Sequence, residues 1–428
     1  MSVGIVLYTR DLRVHDQAAL SAATAEHDQI VPLFVLDETL LREAGTPNRT
    51  AFLLESLRAL RASLRALGGD LVVRRGDVVA KVVRIASATG AKTLFVGEDV
   101  SAYAQRRLRR LREQLDVRIE STVTVVPPGE LVPEGRDHYR VFTPYWRRWR
   151  EEPWRPIVDP PTRVALPKLD AGRVPELSEL VAERRSPGRL KGGEAEGRRR
   201  LERWLADGAA GYDAMRDDLA ADRTSRLSPY LRFGCVSANE VATRARDTEL
   251  FRQLCWRDFY AQLLAANPRT AREDLHARPY EWNSDEDALA LWRAGRTGVP
   301  IVDAGMRQLH AEGWMHNRAR LIVAAFLTKT LGLDWRYGAR AFADVLVDAD
   351  VANNVGNWQW VAGTGVDTRP NRRFNPLTQA RRHDPNGDYV RRYVPELAEL
   401  PGGTVHEPCR APLARIAPEY PTPLALVA

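Results

Sequence analysis

The residues best equipped for chemistry stand close together late in the chain. Between Val347 and Trp360 lie two carboxylates (Asp348, Asp350), three asparagines (Asn353, Asn354, Asn357) and two indoles (Trp358, Trp360), with Gly356 among them. A solvent loop has no use for two indoles. A core avoids unpaired polar groups, because burying one costs about 1–3 kcal/mol. The mixture suits a cavity wall, where rings cover a flat ligand and a few polar atoms fix its orientation. An irregular, fully satisfied helix–helix junction would use the same residue types.

Three further clusters could act with this stretch. Gly211-Tyr212 is followed by Thr224-Ser225-Arg226-Leu227-Ser228-Pro229. Ser228-Pro229 predicts a helix start with a serine N-cap and proline in the first turn. Hydroxyls, an arginine and free N–H groups at that end would suit a diphosphate. Gln253, Trp256 and Arg257 come next, and the i, i+3 spacing puts Gln253 and Trp256 on one helix face. Then Gly313 to Arg320 supplies Trp314, His316, Asn317, Arg318 and Arg320. Arg320 against Asp348 predicts a bidentate pair, which is costly to break once buried. His316 reads as a helix-end histidine and receives no role. Tryptophan can be oxidised transiently, so Trp282, Trp335, Trp358 and Trp360 could pass an electron outward if they lined up. Core packing uses the same residue type, and spacing does not separate the two.

These clusters need a scaffold. Residues 1 to about 125 alternate short β-branched runs with longer amphipathic ones. Strands are predicted at Val3–Tyr8, Ile30–Leu36, Asp70–Val73, Thr93–Val96 and Val117–Glu120, with helices at Asn48–Leu67, Val78–Thr89 and Ala102–Gln114. That order predicts an α/β domain, Rossmann-like, with a parallel sheet covered on both faces. No GxGxxG or Walker loop accompanies it. Residues 126–193 are proline-rich and read as an interdomain connection. Within it, Phe142-Thr-Pro-Tyr-Trp-Arg-Arg-Trp-Arg is expected to dock the connection onto the second domain, with nucleic-acid stacking as the other reading. From residue 194 to 428 the pattern is all-α: Glu194–Asp207, Ala238–Asp247, Leu250–Ala266, Asp285–Ala294, Ile301–Ala311, Asn317–Leu331 and Tyr337–Leu346 have helical period. Most of the polar–aromatic chemistry is expected there.

The 428 residues suffice for two domains with sizeable cores. A net charge of +7 permits a polyanionic partner without requiring one; only five of the 63 basic residues are lysine. Cys235, Cys255 and Cys409 have neither metal-ligand nor disulfide spacing, so no metal is expected and a reducing cytoplasm is. No secretion signal opens the chain, and the longest apolar run, Leu321 to Thr328, is too short to span a bilayer. A monomer without membrane attachment is expected.

Taken in order, the motifs resemble the photolyase/cryptochrome flavoproteins. The likeness rests on Thr-Arg-Asp-Leu-Arg-Val-His-Asp near the start, Thr-Ser-Arg-Leu-Ser-Pro-Tyr-Leu, Trp-Arg-Asp-Phe-Tyr, Gly-x-Pro-Ile-Val-Asp-Ala-x-Met-Arg-Gln-Leu, Gly-Trp-Met-His-Asn-Arg, and Asp-x-Asp-x-x-x-Asn-x-x-x-Trp-Gln-Trp from Asp348. It covers the chain end to end and is nearest the bacterial cyclobutane pyrimidine dimer photolyases. The resemblance implies FAD in the helical domain and light-driven electron transfer to a pyrimidine dimer in DNA, a carbon–carbon lyase reaction. It implies Tyr212, Thr224, Ser225, Arg226, Leu227 and Ser228 at the FAD phosphates and ribityl chain. Arg257, Arg320, Asp348, Asp350 and Asn354 would surround the flavin ring, with Asn354 at its N5 edge. Trp358, Trp335 and Trp282 would be the electron relay from the flavin outward. Trp256 and Trp360 would wall a pocket for the flipped-out dimer. Gln253, Arg216, Asn317, Arg318 and Gln379 would meet the lesion or its flanking phosphates.

Two departures bear on function. The family's dimer-binding glutamate is Gln253 here, and Leu321 stands where a methionine is frequent. In the antenna region Ala271-Arg272 replaces the Cys-Lys pair of folate-binding members, so a deazaflavin, or no second chromophore, is expected before folate. A cryptochrome-like photoreceptor and a general electron-transfer flavoprotein are the competing functions. The first would carry a long C-terminal tail, which is not seen here; the second would not need a lesion-sized pocket.

Overall fold

A computed structural model describes residues 1–182, 184–279, 281–366, 374–410 and 420–425. Five strands, β1 (Val3–Leu7), β2 (Gln29–Leu36), β3 (Val72–Arg75), β4 (Thr93–Gly97) and β5 (Asp116–Glu120), form one parallel sheet in the order β3-β2-β1-β4-β5. Central strands β1, β2 and β4 are buried almost throughout, as the continuous runs Ile5–Leu7 and Ile30–Leu36 require of a sheet covered on both faces. Edge strand β5 alternates charge and is largely exposed. Strand ends lie within about two residues of those predicted. Two helices, Ala18–Glu26 and Glu38–Ala44, were not expected. Glu38–Ala44 buries no residue and so carries no amphipathic pattern to read.

The order reverses between β1 and β4, the switch point where α/β sheets accept ligands or partners at their strand ends. Here the partner is the chain's own helical half. Arg10, just after β1, forms an ion pair with Asp350. Half-buried Glu98, just after β4, accepts the backbone N–H groups of Thr122, Val123 and Thr124. The next residues, Val125 and Val126, donate to Asp258 of the helical half, at 2.9 and 3.0 Å. The two halves also share a core, in which Phe52 stacks on Phe233 with ring centres 4.9 Å apart.

The helices of the second half follow the predicted spans, with corrections at their ends. Glu194–Arg203 and Asn317–Ala325 each continue as a π turn, Trp204–Gly208 and Phe326–Thr330. Phe142–Trp149 is a helix whose buried Phe142, Tyr145 and Trp149 face the Glu249–Ala266 helix, so this segment docks the connection as expected. The polar stretch is a helix too, Val351–Ala362, closed at its end by Gly363 in the left-handed region. Asp350 caps its start, accepting the Asn353 backbone N–H at 3.0 Å.

Candidate functional site

A cavity of about 520 Å³ opens in the helical half, a volume in the range of small-molecule and cofactor sites. Its wall includes Tyr212, the loop from Thr224 to Ser228, Gln253, Trp256, Arg257, Asn317, Arg318, Arg320, Asp348, Asp350 and Trp360. Residues nearly 150 positions apart in sequence thus converge on one space. Asn354 and Trp358 line an adjoining recess that shares Asn317, Arg320, Asp348 and Asp350.

Asp348 is the polar hub. Its Oδ2 accepts from Ser228 Oγ at 2.5 Å and from Arg320 Nη2 at 2.8 Å. Ser228 Oγ in turn accepts from Trp314 Nε1 at 3.2 Å. Two expectations are corrected here. The Arg320 pair is single-pronged, because Nε is engaged by the Met315 carbonyl at 2.8 Å. Ser228 does not cap its helix: Ser228–Phe233 begins at Ser228 itself, and the hydroxyl is drawn to Asp348 instead. Asp348 Oδ1 is buried and has no hydrogen-bond partner among the described residues, an orphan acceptor of the kind a ligand N–H would satisfy.

The upstream loop is bent through left-handed backbone at Asp222 (φ 44°) and Arg226 (φ 49°), unusual for residues with side chains. Arg226 holds that shape by pairing with Asp222 and with Glu312 (2.8 Å), while its guanidinium lies 4.3 Å from the Trp314 ring centre. Thr224 donates to Asp222 at 3.2 Å, and Ser225 Oγ accepts the Leu227 N–H at 3.4 Å. The cations assigned to nucleic acid are likewise engaged. Arg216 pairs with Glu249 at 2.8 Å, and Arg318 contacts both oxygens of Asp217 at 3.2 and 2.5 Å. Arg257 donates to the Val123 and Leu231 carbonyls at 2.7 and 3.3 Å, tying the end of the α/β half to the helical half as well as lining the cavity.

Sequence reasoning missed Arg232. Its Nε donates to the Ala349 carbonyl at 2.9 Å and no carboxylate pairs with it among the described residues. Burial, with Arg10 nearby adding repulsion, lowers its pKa to about 9. Burial also works to raise the pKa of Asp350, but Arg10, Arg232, Arg257 and the Asn353 N–H outweigh it and hold the carboxylate far below its ordinary range. The cavity floor is therefore a cluster of cations around one carboxylate, suited to an anionic ligand. Nothing in the local sequence marks Arg232; its role depends on Asp350 and Arg10 arriving from far away.

On the far side, Trp256 lies flat on Phe142 (ring centres 3.6 Å, planes 4° apart) and faces the cavity half-buried. Gln253 lines the same wall, and its amide makes no hydrogen bond to another described residue. Gln379 sits on the Pro376–His383 helix outside the cavity wall, with Oε1 buried and unpartnered.

Two packing features bear on the three tryptophans expected to relay electrons. Trp358 presses its indole edge onto Gly338, where a Cβ would fall 2.1 Å from Cη2. Trp335 is one turn from Gly338 on the same Trp335–Val345 helix. Asn283 pairs with Leu333 in an isolated bridge and donates to the Gly332 and Leu331 carbonyls. That pins Trp282, half-buried, beside the start of the same helix.

Family models match both halves: "DNA photolyase" over residues 4–165 and "FAD binding domain of DNA photolyase" over residues 250–427. A deoxyribodipyrimidine photo-lyase of Streptomyces griseus is 49% identical, covering 99% of this chain and 96% of the relative.

The chain belongs to the DNA photolyase family.

A cryptochrome DASH of Gloeobacter violaceus is 35% identical over 98% of this chain and 92% of its own. The solved bacterial class III photolyase from Agrobacterium tumefaciens superposes with a TM-score of 0.91 at 34% identity, covering 100% of this chain and 95% of that one. The cavity of this photolyase-family chain lies within and beside its FAD-binding domain. The orphan Asp348 Oδ1, the unpaired Arg232 and the flanking rings are what a flavin with an anionic diphosphate would fill.

Proposed function

We propose that this chain repairs cyclobutane pyrimidine dimers in DNA by light-driven electron transfer, as the names of its relatives suggest. One observation carries the reading. The one cavity that carries the Asp348 hub and the cations around Asp350 is also walled by Trp256, Trp360 and the Gln253 amide. A redox protein that only relays electrons would not need such an aromatic wall in the same cavity. Bound FAD, when reduced and excited by light, supplies one electron to the dimer and takes it back. The residues do the rest. Asp348, fixed by Ser228 and Arg320, offers one oxygen to hold the ring. Arg232 balances negative charge. Asn354, whose Nδ2 donates to the Ala339 carbonyl at 2.9 Å, presents its Oδ1 at the recess. Trp256 and Trp360 take an extruded lesion between rings and exclude water from it. Trp358, Trp335 and Trp282 deliver electrons from outside to keep the flavin reduced.

A cavity of about 630 Å³ at the end of β4, lined by Glu98, Gln105, Arg106, Arg109, Pro127 and Pro268, is the place for an antenna. We assign it a deazaflavin before a folate.

Binding tests the reading. An oligonucleotide carrying one dimer should bind far more tightly than its undamaged twin, with the preference lost in Trp256→Ala. Equal affinity for both would favour the photoreceptor reading, which the similarity to a cryptochrome DASH keeps in view.

A further inference from the structure

Trp335 is 1% exposed, so its indole N–H cannot reach water. That N–H donates to Asp274 Oδ1 at 2.8 Å. The same oxygen accepts from Arg336 Nη2 at 2.9 Å, and Arg336 Nη1 reaches both oxygens of Asp334 at 3.1 and 3.0 Å. The Arg336 guanidinium lies 4.8 Å from the Trp335 ring centre. Two carboxylates and one guanidinium thus give the surroundings of this indole a net negative charge. Trp292, which meets Trp358 edge to face with ring centres 6.1 Å apart, satisfies its N–H with the Val323 carbonyl at 3.1 Å. A carbonyl answers the need of a buried indole for an acceptor; a carboxylate is in addition a base.

We propose that Asp274 is the proton acceptor for oxidised Trp335. The inference rests on the relay named above. An electron leaves Trp335 inward through Trp358, the final oxidant being light-excited oxidised flavin. The indole cation radical so formed is far more acidic than the neutral indole. Its Nε1 proton crosses the existing hydrogen bond to Asp274 Oδ1, leaving a neutral tryptophan radical and a neutral carboxylic acid. The Asp274 side chain is 20% exposed, so the proton can go on to solvent. The returning electron must then be accompanied by a proton, which slows charge recombination and lengthens the time for an external donor to act. Reduction of the radical returns the proton to Nε1.

The test uses flavin-loaded protein with Trp282→Phe, so that oxidation stops at Trp335. Transient absorption separates the tryptophan cation radical from the neutral radical. The neutral form should accumulate in Trp282→Phe. Adding Asp274→Asn, whose amide oxygen keeps the hydrogen bond but is not a base, should leave the cation and speed recombination several-fold. An unchanged yield of neutral radical in the double variant would overturn the proposal. In the dark, the Trp335 indole proton resonance, assigned by its loss in Trp335→Phe, should exchange faster in Asp274→Ala than in Asp274→Asn; equal rates would also overturn it. Undiminished flavin photoreduction in Trp335→Phe would instead remove the relay itself.

Discussion

Trp358 reaches the Trp335–Val345 helix only because position 338 has no side chain. An alanine Cβ there would stand 2.1 Å from Cη2 and 2.4 Å from Cζ3 of the indole. Glycine to alanine within a helix ordinarily stabilises by about 0.5–1 kcal/mol. Here the overlap with a ring that is 2% exposed outweighs that gain, since forcing extra atoms into a packed core costs about 1–3 kcal/mol. Gly338→Ala should therefore melt lower than the wild type and, still loaded with flavin, photoreduce more slowly with an external donor. A higher melting temperature with unchanged photoreduction would show that the two helices are free to separate.

Arg320→Ala leaves Asp348 with the Ser228 hydroxyl alone and one oxygen already orphaned. Removing one partner of a buried pair costs about 3–5 kcal/mol, and part of that should appear as lost flavin. Flavin content measured by absorbance should fall in Arg320→Ala and stay level in Arg84→Ala, on the exposed face of the Val78–Thr89 helix. Equal content in both would contradict the hub role of Asp348.

DNA affinity should weaken as salt rises, because arginines at the cavity mouth displace counterions from phosphates. Arg216 and Arg318 face that task already paired with Glu249 and Asp217. Arg216→Ala should lower affinity for damaged and undamaged DNA alike and flatten the salt slope. Glu249→Gln, which frees Arg216, should do the opposite. Titrations by fluorescence anisotropy at several salt concentrations check both; a Glu249→Gln variant that binds more weakly would place Arg216 outside the interface.

His316 caps the Asn317–Ala325 helix by accepting the Arg318 N–H on Nδ1 at 3.1 Å, so its proton sits on a buried, unpartnered Nε2. Burial lowers its pKa to about 4, with Asp222 and Asp217 opposing and Arg226 and Arg318 reinforcing. A folded-state pKa below the unfolded value near 6.5 gives stability that is complete above 6.5 and is lost as pH falls toward 4. At about 1.4 kcal/mol per pH unit, the loss between pH 6.5 and 5 is about 2 kcal/mol. Urea unfolding should show this loss in the wild type and a smaller one in His316→Asn, whose amide oxygen can still cap the helix. Equal losses would mean that the ring is protonated in the folded state.

Much of this architecture was legible in the chain. The continuous apolar runs gave the parallel sheet, and the period of Leu250–Ala266 or Val78–Thr89 gave the helices. The residue types between Val347 and Trp360 pointed to a cavity wall. What the chain concealed was long-range pairing. No local pattern shows that Asp350 is clamped by Arg10 from the other domain, that Glu249 and Asp217 occupy the arginines expected at phosphates, or that Arg232 joins Arg10 and Arg257 around Asp350. Ser228-Pro229 read as a serine cap because such dipeptides usually are one; a tertiary acceptor, Asp348, competed for the hydroxyl and took it. Glu38–Ala44 buries nothing, and so had no periodicity to reveal it.

Light-driven repair is the most direct readout. Protein with reduced flavin should be mixed with an oligonucleotide carrying a single cyclobutane dimer, illuminated, and followed by the return of ultraviolet absorbance as the pyrimidine double bonds reform. Wild type should restore the bases only in light. Gln253→Glu, which replaces an amide unable to move a proton with a carboxyl group that can, should restore more per photon at similar affinity. No restoration by either protein in light, with flavin bound and reduced, would contradict the repair reading.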